Sequence, residues 1–124
     1  HSVHMPEVNQ YLDDLHNRLM TKDFEIAMGY YKTESYHAAN VSLKNFINLY
    51  PDSPFKEEAM FYTLRSGYEY AINSQESKVR ERMQVVINDF DKYAAFLKDS
   101  KYFSSAQTIY TKARAVLAQE ETTK

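Results

Sequence analysis

The stretch "LYPDSPFKEEA", Leu49 to Ala59, returns in altered form as "LKDSKYFSSA", Leu97 to Ala106. Asp52, Ser53, Phe55 and Ala59 recur as Asp99, Ser100, Tyr102 and Ala106, each 47 residues further on. The chemistry of the first copy is that of a helix end followed by a helix start. Pro51 stops whatever helix precedes it. Ser53 can accept a hydrogen bond from an orphan backbone N–H, and Pro54 occupies a first helical position where its missing N–H costs nothing. Glu57 and Glu58 then lie near the positive end of the helix dipole. Two such corners in one short chain mark joints between helices.

Helical spacing of apolar residues extends outward from both joints. From Pro6, Leu12, Leu15, Leu19, Ile26 and Tyr30 mark one stripe, and Met20, Phe24, Ala27 and Tyr31 a second. They predict one long helix, or two nearly continuous ones, ending near Thr33. After the polar turn "KTESY", a second helix runs from Tyr36 to about Tyr50 with Ala39, Leu43, Phe46, Ile47 and Tyr50 on one face. The third runs from the Ser53 corner to about Ile72. "NSQES" makes the next break, with Asn73 and Glu76 at capping-box spacing. Val79, Met83, Val86, Phe90, Tyr93 and Leu97 form the fourth stripe. A fifth, Tyr102 to about Leu117, carries Ala106, Ile109, Ala113 and Val116, and "QEETTK" is expected to fray. Five helices joined by short turns give an all-α chain of antiparallel neighbours.

Composition agrees. Two Gly and three Pro are too few for the turns of a multi-stranded β protein. A net charge of −2 carries no electrostatic footprint for nucleic acid or anionic lipid. The chain has no Cys, which excludes thiolate chemistry within it. No apolar run approaches the roughly 18 residues of a membrane-spanning helix. Residues 1–5, "HSVHM", read as a tag remnant, 6–120 as the folded module and 121–124 as a frayed tail.

Helical hairpins stacked in register form solenoids, and the tetratricopeptide pattern has a period of about 34 residues. With Pro51 as the proline that closes one repeat, Ile26, Ala27 and Tyr30 fall on the first helix's large, small and aromatic positions. Ala39, Leu43 and Phe46 fall on the second helix's packing positions; Phe46 is larger than the residue usual there. The next repeat uses Leu64 and Tyr68, then Val86, Phe90 and Tyr93, and the insertion "NSQESKVRE" lengthens it beyond the standard period. The last helix lacks a partner and can cap the final hydrophobic face. The other reading is an irregular bundle whose corners match through capping chemistry alone. Agreement at several independent core positions favours the repeat.

The ordered set "RL" with "DFEIA..YY" (Arg18 to Tyr31), "Y.AA....KNF...YPDSP..EEA" (Tyr36 to Ala59) and "Y..A.NS.ESK...R" (Tyr68 to Arg82) resembles the later tetratricopeptide repeats of BamD-type outer-membrane assembly lipoproteins. The resemblance continues through Phe90, Tyr93, Phe96 and "DSKY...A..IY" (Asp99 to Tyr110). It implies a non-enzymatic scaffold at the periplasmic face of the outer membrane. In such proteins the later repeats dock the periplasmic domains of a β-barrel insertase, alongside other assembly subunits. Attachment to the membrane is through a lipidated cysteine that this chain does not contain. The alternative is a general tetratricopeptide adaptor for a short peptide or partner protein.

No catalytic, metal or cofactor site is expected. His16 and His37 have no companion at ligand spacing, and His1 and His4 fall in the tag-like start. The pairs Asp13-Asp14, Glu57-Glu58 and Glu120-Glu121 sit on adjacent helical positions, which do not face one another. "KVRER", Lys78 to Arg82, reads as a solvated helix start with a Glu76–Arg80 pair. The tyrosines say more. Tyr31, Tyr62 and Tyr70 fall off the main stripes, and on the repeat register Phe24, Met28, Tyr31 and Tyr62 point to the concave face. Aromatic and Met side chains there suit protein binding. Packing against an adjoining helix explains them equally well.

Overall fold

The computed structural model describes residues 5–122. The tag reading of residues 1–5 falls almost wholly outside that range, as do the last two residues of the expected tail. Five helices follow in order: α1 (Pro6–Lys32), α2 (Tyr36–Leu49), α3 (Lys56–Ile72), α4 (Glu76–Leu97) and α5 (Phe103–Thr122). The helix α5 continues past Leu117 to Thr122, where fraying had been expected from "QEETTK".

The two corners are built from the same hydrogen bonds. Phe55 N–H donates to Ser53 Oγ at 2.9 Å, and Tyr102 N–H to Ser100 Oγ at 3.1 Å. Ser53 N–H donates to the Tyr50 carbonyl at 3.0 Å, and Ser100 N–H to the Leu97 carbonyl at 2.9 Å. The first α-helical bonds, Ala59 N–H to Phe55 O and Ala106 N–H to Tyr102 O, also coincide at 2.8 and 2.9 Å. Even the packing repeats: Phe55 stacks on Phe24 of α1 (ring centroids 4.6 Å apart), and Tyr102 stacks on Phe61 of α3 (5.1 Å). The repeated sequence is a repeated joint, in which a serine-closed turn sets an aromatic ring onto the preceding first helix. The sequence places Ser53 at the N-cap and Pro54 at the first helical position; α3 instead begins at Lys56 after Phe55, and both residues lie in the turn before it.

Consecutive helices pack as antiparallel neighbours, giving the hairpins α1/α2 and α3/α4, with α5 against α4. Across the stack α1 packs on α3 and α3 on α5, whereas the backbones of α2 and α4 stay apart and are bridged by the Lys44–Asp89 ion pair. One layer, α1–α3–α5, is therefore closed, and the other is fanned open. The array bends toward the closed layer. The core lies between the layers and includes Phe24, Ala27, Leu43, Phe46, Leu64, Met83, Val86, Phe90, Leu97 and Ala113. Buried polar groups join three helices at Thr63. Its carbonyl accepts from Asn40 Nδ2 at 2.9 Å and from Ser66 Oγ at 3.2 Å, while its hydroxyl donates to Ala59 O and sits beside the Tyr93 hydroxyl.

Three local expectations are corrected. Of the two stripes on α1, the one through Met20, Phe24 and Ala27 packs, and the stripe through Leu12, Leu19, Ile26 and Tyr30 is exposed, Ile26 at 48% and Tyr30 at 41%. Both stripes have helical period; which one is buried depends on where α2 lies, and α2 covers only the C-terminal half of α1. Asn73 does not cap α4: its Nδ2 donates to Glu69 O at 2.8 Å and closes the end of α3 instead. Arg80 reaches across to the Leu117 carbonyl of α5 at 3.3 Å, and it is Lys78 that pairs with Glu81, at 3.2 Å. The turn after α1 carries a feature unmarked in sequence, Glu34 at φ 62°. A side chain in this left-handed region is strained by about 1 kcal/mol. It is held there by Ser35 N–H on Tyr30 O and by the Thr33 hydroxyl, which lies 3.1 Å from both Gly29 O and Tyr30 O.

Candidate protein-binding site

The closed layer carries a ladder of aromatic rings. Tyr36, at the start of α2, meets Tyr31 edge-on at 5.7 Å, and Tyr31 meets Tyr62 of α3 edge-on at 4.9 Å. Tyr62 touches Phe61 at 5.0 Å, and Phe61 stacks on Tyr102 at the head of α5. One α1 residue, one α2 residue, two α3 residues and one corner ring thus form a continuous strip of five rings. Edge-to-face geometry of this kind adds roughly 0.5–1.5 kcal/mol per pair beyond area burial, so the strip is rigid as well as broad.

The four residues expected on this face divide. Phe24 is 7% exposed, sandwiched against Phe55 and tilted onto Phe46 at 5.3 Å, so its ring belongs to the core. Met28, Tyr31 and Tyr62 are half-buried. The two tyrosines lie together in the ladder; Met28 packs against the core. Tyr31 and Tyr62 thus each pack on two adjoining rings, as one of the two sequence readings expects, and remain half-buried.

Reasoning from sequence missed Arg65. It lies one turn after Tyr62 on α3 and beside the Tyr31 hydroxyl. Burial raises the Tyr31 phenol above its ordinary value, and the Arg65 charge and hydrogen bond oppose that shift. Arg65 was findable in principle, since a residue three after Tyr62 shares its helical face. Phe61 and Tyr102 were also missed as ladder members, because their contact crosses from α3 to the second corner and has no local signal; Phe61, 6% exposed, is a core ring like Phe24 and links the ladder from beneath. The surface can offer rigid aromatic edges, one thioether and one cation. That is binding chemistry. Among the described residues no group of three or more His, Asp or Glu side chains is placed to hold a metal ion. Among them, too, no helix is long and apolar enough to cross a membrane.

No curated protein matches the chain. Among protein families, residues 16–123 match one described as outer membrane lipoprotein, YfiO. The match runs from within α1 through α2, α3, α4 and α5 and takes in both corners, and it agrees with the resemblance carried by the corner and loop motifs. The chain therefore belongs to the YfiO family of outer membrane lipoproteins, the BamD type, whose members are scaffolds associated with the outer membrane.

Proposed function

We propose that this chain is a non-enzymatic scaffold module of outer-membrane protein assembly, and that its repeats dock the periplasmic domains of a β-barrel insertase. In this reading it works at the periplasmic face of the outer membrane, as the C-terminal repeats of a protein lipid-anchored elsewhere in its sequence. The observation that supports it best is the aromatic ladder on the closed layer, in a chain of the outer membrane lipoprotein family. Met28, Tyr31 and Tyr62 are the contacts assigned to the partner, with Arg65 as a charged anchor at their centre. Aromatic and arginine side chains at the middle of a rigid patch are the usual carriers of interface energy.

The test is capture of this chain by purified insertase periplasmic domains. Tyr31→Ala with Tyr62→Ala should weaken capture about tenfold or more, with helicity by circular dichroism unchanged. Capture at wild-type strength would remove the ladder from the interface, and no capture of the unaltered chain would remove the docking role. A tetratricopeptide adaptor for short peptides is the second reading, favoured by the position of Arg65 and the ladder on the inside of the bend. It predicts peptide binding sensitive to the same substitutions without insertase contact.

A further inference from the structure

The fanned layer leaves an open cleft of about 480 Å³ between α2 and α4, floored by α3 at Gly67. Its α2 wall carries His37, Val41, Lys44, Asn45 and Asn48, and its α4 wall Arg82 and Val85. The floor requires a glycine: a Cβ there would lie 3.1 Å from Asn40 Nδ2 and 3.3 Å from Val86 Cγ2. At one end three side chains are stacked. His37 lies on the Tyr70 ring at 4.5 Å, and the Arg82 guanidinium sits 4.2 Å from the centroid of the same ring.

The charges of the cleft are one-sided. Lys44 is bound to Asp89 at 2.9 Å, an ion pair that ties the two walls together. Arg82 is held by the Tyr70 ring and makes no ion pair with any described carboxylate, so its planar N–H donors remain available. Beyond the Asp89 already paired with Lys44, no carboxylate lines the cleft, although the chain as a whole is net negative at −2. Val41 and Val85 stand 43% and 44% exposed on the two walls, and Asn45 and Asn48 add exposed amides that can pair with a peptide backbone. Valines on facing walls, exposed amides and the free edge of Arg82 suit an extended strand that alternates apolar and acidic side chains.

We propose that the cleft between α2 and α4 binds an extended, acidic segment of a partner protein, with Arg82 taking a carboxylate while Val41 and Val85 receive the alternate apolar side chains. A guanidinium fixed on an aromatic face has already lost its rotamer freedom, and bidentate pairing with a carboxylate uses its free edge. This site lies on the layer opposite the aromatic ladder and stands independently of insertase docking.

Fluorescence anisotropy on the full chain tests it, with a labelled peptide of about ten residues alternating Val and Glu and its Val–Gln counterpart. The acidic peptide should bind at least about tenfold more tightly than the amide one, and more weakly as salt rises from about 0.05 to 0.5 M. Arg82→Gln and, separately, the surface substitution Val41→Glu should each cut its affinity about tenfold, with circular dichroism unchanged. Tyr31→Ala should leave it unchanged. Equal binding of the two peptides, wild-type affinity in both cleft variants, or loss of binding in Tyr31→Ala alone would overturn the proposal. So would preference for a helix-stapled form of the acidic peptide.

Discussion

At the scale of single residues, Thr63 and Tyr93 show how polar groups are afforded inside a solenoid core. Tyr93 is 3% exposed; burial, with the charge of Asp89 one turn earlier, pushes its phenol up to about 12, and the Thr63 hydroxyl offsets only part of this. An unfolded tyrosine releases its proton near pH 10, while the folded one still holds it. Over this window the unfolded chain binds fewer protons than the native one, so stability falls as pH rises. The contribution is intact below pH 10 and lost progressively between 10 and 12, by about 2–3 kcal/mol for a shift of this size. Urea unfolding from pH 9 to 12 should show this decline, and Tyr93→Phe should flatten it. The phenols of Tyr31, Tyr36, Tyr50, Tyr68 and Tyr102 are raised as well, so the slope should diminish without vanishing. Thr63→Val keeps the shape and removes the hydroxyl. It should cost about 1–3 kcal/mol, because the Tyr93 hydroxyl is left buried without its partner.

At the scale of elements, the two corners are one device in two versions, and the difference between them can be tested. Lys101 occupies the place that Pro54 holds in the first corner. The flanking hydrogen bonds match, and the Lys101 N–H makes none of the bonds that hold the corner. Lys101→Pro should therefore stabilise the chain by about 0.4–1 kcal/mol, through loss of freedom in the unfolded state. Ser100→Ala should cost about 1 kcal/mol, and Ser53→Ala a similar amount, through loss of the side-chain hydrogen bond that closes each turn. Chemical denaturation of the three variants checks all of this, and a destabilised Lys101→Pro would show that the corners differ in backbone despite their shared bonds. Helix identity and length were legible because the stripes of α2 and α4 are bounded by strong stops. The stripe choice on α1 was not. Its two faces carry comparable apolar residues, and local periodicity has no information about which face a neighbour will cover.

At the scale of the whole molecule, the stack behaves as a chain of nearest-neighbour interfaces, so its ends are its weak points. The helix α5, packed on α4 and α3, covers Phe90 through Tyr110 (ring centroids 4.4 Å apart) and Phe61 through Tyr102. It also buries Ala106, Ile109 and Ala113. Ending the chain at Ser100 would expose those faces. Each large apolar side chain returned to water forfeits about 1.5–3 kcal/mol, so the thermal midpoint should fall by more than about 10 °C. Dye binding to exposed apolar surface should rise at the same time. Unchanged melting would mean that α5 is an appendage and that the α3/α4 hairpin closes the core unaided. The same architecture separates the two candidate surfaces. Bending toward α1–α3–α5 brings Tyr31, Tyr62 and Arg65 together, and the accompanying fan between α2 and α4 opens the cleft at Gly67.

The amino-acid order alone determined the helices, the joints and the family, because each is written in local chemistry. Turn-closing serines, a proline after a helix end and small residues at repeat positions act within a few residues of where they stand. What the tertiary structure decided is which side chains meet across helices: Phe24 enclosed by Phe46 and Phe55, Arg65 beside Tyr31, Arg82 laid over Tyr70. These depend on the angle at which one hairpin rests on the next. That angle is set by the sum of all the buried contacts, and no single stretch of chain encodes it.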